Sequence, residues 1–112
     1  MTTEEIRKRT GLSEKDAETL KQTEQMLPMM AELAGADLFI DCMNRETGTM
    51  FVAAQAGPKY MPSAYQNSVV GCMAEKEDEP AVYRALETRA PVRDIKAVTQ
   101  EEKTVRQDAV PI

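Results

Sequence analysis

The chain contains no histidine and no tryptophan, and only two cysteines, two phenylalanines and three tyrosines among its 112 residues. Without histidine there is no Ser-His-Asp or Cys-His relay, and no side chain whose ordinary pKa lies near neutrality. Cys42 and Cys72 stand alone rather than in a CxxC pair. With no histidine beside them, the soft ligands of a structural zinc are missing, and neither a metal nor a cofactor is expected. No glycine-rich phosphate loop is present either. Apolar runs stay far short of the ~20 residues that span a bilayer. The amino terminus, Met1-Thr2-Thr3-Glu4-Glu5, is polar and acidic, unlike a signal peptide. The 14 basic residues, set against 19 acidic ones for a net charge of −5, form no cluster. Nucleic acid and anionic membranes are therefore not expected as partners. The sequence reads as a cytoplasmic protein without catalytic machinery of its own.

What is present suits one small α+β domain over residues 1–112, with a helical lead-in (1–35) followed by sheet, loop, helix and hairpin (36–112). A short helix over residues 3–9 is supported by Glu4–Lys8 and Glu5–Arg9 spacings and ends at Gly11. Ser13 is a suitable N-cap, with Asp16 three residues on, for a long helix to Ala34. Ala17, Leu20, Leu27, Ala31 and Ala34 follow its stripe, thickened by Met26, Met30 and Leu33, and Gly35 stops it. Pro28 lies inside and is expected to kink it. Residues 36–43 and 49–56 alternate as strands around the turn Asn44-Arg45-Glu46-Thr47-Gly48. The many alanines of the second strand leave room above the sheet, for a ligand or a helix. A further short helix starts at Glu79-Pro80, since proline suits a first helical turn, and a hairpin of 92–98 and 104–110 follows.

Several side chains have two readings. Tyr60, Met61 and Tyr65, in a loop braced by Pro58 and Pro62, either close a small pocket or simply anchor the loop. Asp41, inside an apolar strand, either pairs with an amine ligand or faces water as an ordinary alternation residue. Arg93-Asp94 and Thr99-Gln100-Glu101 either reach a ligand or serve as hairpin surface and turn formers. The eight methionines either adapt a pocket to a ligand or replace leucine in the core. Cys42 and Cys72 are either small buried hydrophobes or the thiols of a redox sensor or reductase on the same scaffold.

Spaced motifs carry a family resemblance. They are Leu12-Ser13-Glu14-Lys15-Asp16, Gly35-Ala36-Asp37-Leu38-Phe39-Ile40-Asp41-Cys42, Pro62-Ser63-Ala64-Tyr65, Val69-Val70-Gly71, Glu79-Pro80-Ala81-Val82-Tyr83-Arg84, Arg93-Asp94, Lys96-Ala97, Thr99-Gln100-Glu101, Val105-Arg106-Gln107 and Pro111-Ile112. Together they resemble the amino-terminal sensory domain of cytoplasmic two-component histidine kinases, the group that includes ethanolamine-responsive sensor kinases of Firmicutes. The resemblance implies a GAF/PAS-like antiparallel sheet with a long amino-terminal helix. It also implies a signal-sensing, ligand-binding and dimerising role, with a small molecule such as ethanolamine as ligand. The kinase region and the response regulator would be its downstream partners. Having no histidine, this segment cannot be the phospho-acceptor, so phosphotransfer lies outside it. Such sheets end in a central strand beside the first. The chain therefore reads as truncated before its last strand, with open edges at Asp37–Met43 and Thr104–Ile112 completed by a second copy.

Overall fold

The first helix, α1 (Thr3–Thr10), begins with a reciprocal cap. Thr2 Oγ1 accepts from the Glu5 N–H at 3.1 Å, and the Thr2 N–H donates to Glu5 Oε1 at 3.2 Å. Glu5 is thus held at the cap. Arg9, its expected partner, instead places its guanidinium over the Phe51 ring, 5.1 Å from the centroid, and donates to the Gly71 carbonyl at 3.4 Å. Gly11, at φ 76, closes the helix in the left-handed conformation that glycine adopts without strain.

The computed structural model describes residues 1–60 and 62–112. The polypeptide divides into two units, Met1–Met73 and Ala74–Ile112. In the first, α2 (Glu14–Ala34) starts where Ser13 Oγ accepts from the Asp16 N–H at 3.1 Å, and it continues through Pro28 to Gly35. Ala17, Leu27 and Ala31 are buried. Met26, Met30 and Leu33 do not thicken that stripe: they are 53%, 41% and 82% exposed. At 3.6 residues per turn they lie on average well over 100° round the axis from the buried line, on the side away from the core.

Strands β1 (Leu38–Met43) and β2 (Met50–Ala56) pair antiparallel across a turn in which Asn44 Oδ1 accepts from the N–H groups of Glu46 and Thr47. The register runs Leu38↔Ala56 and Ile40↔Ala54, then slips so that Asp41 faces Val52 and Ala53 is the extra residue of a bulge. Ile40, Cys42, Phe51, Ala53 and Ala54 form one core with Ile6, Ala17 and Leu27. The space above the small residues of β2 is therefore filled by helices α1 and α2. Burying side chains as large as Ile6, Leu27 and Phe51 contributes roughly 1.5–3 kcal/mol each. A two-residue strand that the sequence pattern did not reveal, β3 (Met73–Ala74), makes the sheet order β1-β2-β3.

In the second unit α3 (Pro80–Thr88) has Pro80 in its first turn and Glu79 at the N-cap position. Strands β4 (Val92–Val98) and β5 (Thr104–Ala109) form an antiparallel hairpin whose register slips between Val92 and Ile95. Ala81, Ala85 and Val92 pack together, with Ile95 and Ala109 against them. Among the described residues three non-glycine residues adopt positive φ, all in this unit: Arg89 (54) after α3, Asp94 (56) at the slip and Glu102 (63) in the hairpin turn. The whole is a mixture of helices and antiparallel sheet, the α+β class expected.

Candidate functional site

Alternation along β1 sends Leu38, Ile40 and Cys42 toward the helices and leaves Phe39, Asp41 and Met43 on the opposite face, paired with Gln55, Val52 and Met50. The loop after β2 folds against that second face. The Tyr65 ring meets Phe39 edge-on, with centroids 4.8 Å apart. Gln55 Oε1, on β2, accepts from the Val69 N–H at 2.8 Å. The loop end bonds along the outer edge of β2, where the Val52 N–H donates to the Cys72 carbonyl at 3.0 Å and the Gly71 N–H to the Val52 carbonyl at 2.8 Å.

Two carboxylates hold the loop. Asp37 Oδ1 accepts from Ser63 Oγ at 2.6 Å and its Oδ2 from the Ala64 N–H at 2.9 Å. Glu32 accepts from the Lys59 N–H. Ser63 Oγ in turn accepts from the Tyr65 N–H at 2.9 Å, so the clamp on Asp37 positions the tyrosine that lies on Phe39. At Gly57 a Cβ would stand 2.8 Å from Asp37 Oδ1. The clamp was not legible in the sequence. Its only signal was a Ser-Ala pair after Pro62, with donors to spare.

Of the residues singled out from sequence, Asp41 and Tyr65 lie on this loop-covered face, both partly buried, and Asp41 Oδ1 is shut off from water. Tyr60 is 88% exposed and turned to solvent. Met61 lies outside the described residues. Arg93 belongs to β4, where its exposed guanidinium stands 3.7 Å from Asp108. Thr99 is a turn former: its buried Oγ1 accepts from the N–H groups of Glu101 and Lys103. The two thiols differ in their surroundings. Cys42 is buried, and burial first, then the neighbouring Asp41 charge, push it up to about 11, whereas Cys72 is exposed.

A separate open groove of about 350 Å³ is lined by Glu5, Lys8, Arg9, Asn44 and Glu46, whose opposite charges balance. Among the described residues no group of three metal-ligating side chains comes together, and no helix is long and apolar enough to cross a membrane.

A family model, the GAF domain of histidine kinase PdtaS, matches residues 3–112. Comparisons with curated proteins and with solved structures return no match. The family match covers nearly every residue, and the α+β architecture with its antiparallel hairpins agrees with it. The chain belongs to the family of GAF domains of the histidine kinase PdtaS, a sensory domain.

Proposed function

We propose that this domain receives a small-molecule signal on the loop-covered face of the β1–β2 sheet and conveys it to a kinase region outside the chain. The observation that carries the reading is Asp41: a partly buried carboxylate on the sheet face that also presents Phe39 and Val52, under a loop tied down by the Asp37 clamp. A half-buried carboxylate beside the rings of Phe39 and Tyr65 suits a small primary amine, which offers both a charge and donors. Ethanolamine is the first such amine to try. Asp41 pairs with the ammonium, and Tyr65 and Phe39 give an aromatic wall.

A ligand switches output only through unequal affinity for two states. The clamp at Asp37 is the element that can hold two states, since opening it frees Ser63 and Ala64 and with them Tyr65. A second copy, paired along the outer edge of β1, completes the proposed assembly, with a response regulator as the eventual target in the cytoplasm. Titration of the chain with ethanolamine and related amines, followed by backbone NMR, tests the reading. Shifts centred on Asp41, Tyr65 and Phe39 are expected. Asp41→Asn should weaken binding about tenfold or more, as loss of a charge-assisted hydrogen bond does. Equal binding by Asp41→Asn would remove the site.

A further inference from the structure

Three motifs of the sequence that the sensing face does not use meet at one carboxylate. Glu79, only 5% exposed, precedes α3; its Oε2 accepts from Gln100 Nε2 at 3.1 Å and its Oε1 from Gln107 Nε2 at 2.8 Å. Gln100 lies in the turn after β4 and Gln107 on β5, so the carboxylate joins the start of the helix to the turn and the second arm of the hairpin. The backbone repeats the join beside it, with the Val98 N–H donating to the Asp78 carbonyl at 2.7 Å.

The join has two irregularities. No cation pairs with Glu79 among the described residues. The exposed Lys76 and Arg106 are engaged with Glu87 and Asp94, and Arg93 with Asp108. Arg84, Lys96 and Lys103 are exposed and none forms an ion pair with Glu79. The charged neighbour that acts on it is Asp78, of like sign. Second, Gln107 Oε1 is buried without a hydrogen-bond partner. A buried charge held only by two amide donors, beside an acceptor that lacks a donor, is one proton short of a satisfied network.

We infer that Glu79 is a proton-responsive joint: uptake of one proton by its carboxylate allows Gln107 to turn its amide and accept the new O–H, fastening α3 more firmly to the β4–β5 hairpin. Burial, the largest effect, raises the Glu79 pKa above its ordinary 4.5, and Asp78 adds to it against the two glutamine donors. A raised pKa in the folded state means that the stabilisation is complete below the unfolded value and is lost as pH rises through the folded one. The joint is therefore weaker at neutral pH and tightens on acidification.

The test is carbon-detected NMR titration of the Glu79 carboxyl in the full chain, with urea denaturation across the same pH range. The carboxyl should titrate above 4.5, and the denaturation midpoint should shift to higher urea as pH falls from neutral toward that range. Glu79→Gln, which supplies a donor for Gln107 without a charge, should hold the acid-form stability at neutral pH and lose that part of the pH dependence. Gln107→Leu, which removes a donor, should move the Glu79 titration further up. A Glu79 that titrates at or below its ordinary value would overturn the inference, as would a Glu79→Gln variant that folds but is weaker than the parent at neutral pH.

Discussion

Single side chains show how much a local environment changes what a residue type can do. Cys42 and Cys72 are indistinguishable in sequence. Yet one is a buried thiol whose pKa is pushed up to about 11, and the other is exposed. At neutral pH only the thiolate attacks an alkylating reagent. Cys72 should therefore be modified by iodoacetamide within the native protein while Cys42 is labelled only on unfolding; peptide mass spectrometry reads both. Gly57 illustrates a different constraint. A methyl group there would press on Asp37 Oδ1 at 2.8 Å, and the carboxylate cannot swing away without releasing Ser63 or Ala64. Gly57→Ala should cost about 1–2 kcal/mol and speed hydrogen exchange at the Ala64 amide.

Helices and strands were the readable part of the sequence because their signals are local. Ser13 and Gly35 bound α2 where capping chemistry predicts, and Pro80 opens α3. The failures occur where a distant residue competes. Charge spacing pairs Glu5 with Arg9, but Thr2 engages Glu5 and Phe51 engages Arg9. The slip between Ile40 and Asp41, the two-residue β3 and the Asp37 clamp all depend on partners far along the chain. Asp41 and Tyr65 were legible as polar marks in an apolar setting, whereas Gln107 gains its meaning from Glu79, 28 residues earlier. The cap on α1 gives a pH test. Hydrogen bonds from Thr2 hold the Glu5 pKa below its ordinary 4.5, so its contribution is present above that value and is lost as pH falls through the folded one. Amides of α1 should lose protection in acid while the joint at Glu79 tightens. In α2, Pro28 is exposed and denies the helix one backbone bond. Pro28→Ala should raise stability by roughly 1–3 kcal/mol, measured by urea denaturation.

At the scale of the whole molecule the strand edges matter most. Among the described residues β1 is paired only with β2, and β5 only with β4. An unpaired edge seeks another backbone. Sedimentation at micromolar concentration should show a dimer of the 112-residue chain. Ile40→Pro disturbs the core, so the informative substitution is Phe39→Pro, at an outward position of the same strand. It should shift the equilibrium toward monomer, and a parent protein that sediments as a monomer would exclude pairing through this edge.

Arg89, Asp94 and Glu102 each hold a side chain in a backbone region that glycine enters freely. Holding a non-glycine residue there costs on the order of 1–2 kcal/mol. The second unit is thus held below the stability its own topology permits, and glycine at any one of the three positions would restore part of the difference. Where a helix is meant to loosen from a hairpin under a weak stimulus, such strain shortens the distance in free energy between the fastened and loosened forms. A domain relieved of it would be sturdier in urea and slower to respond.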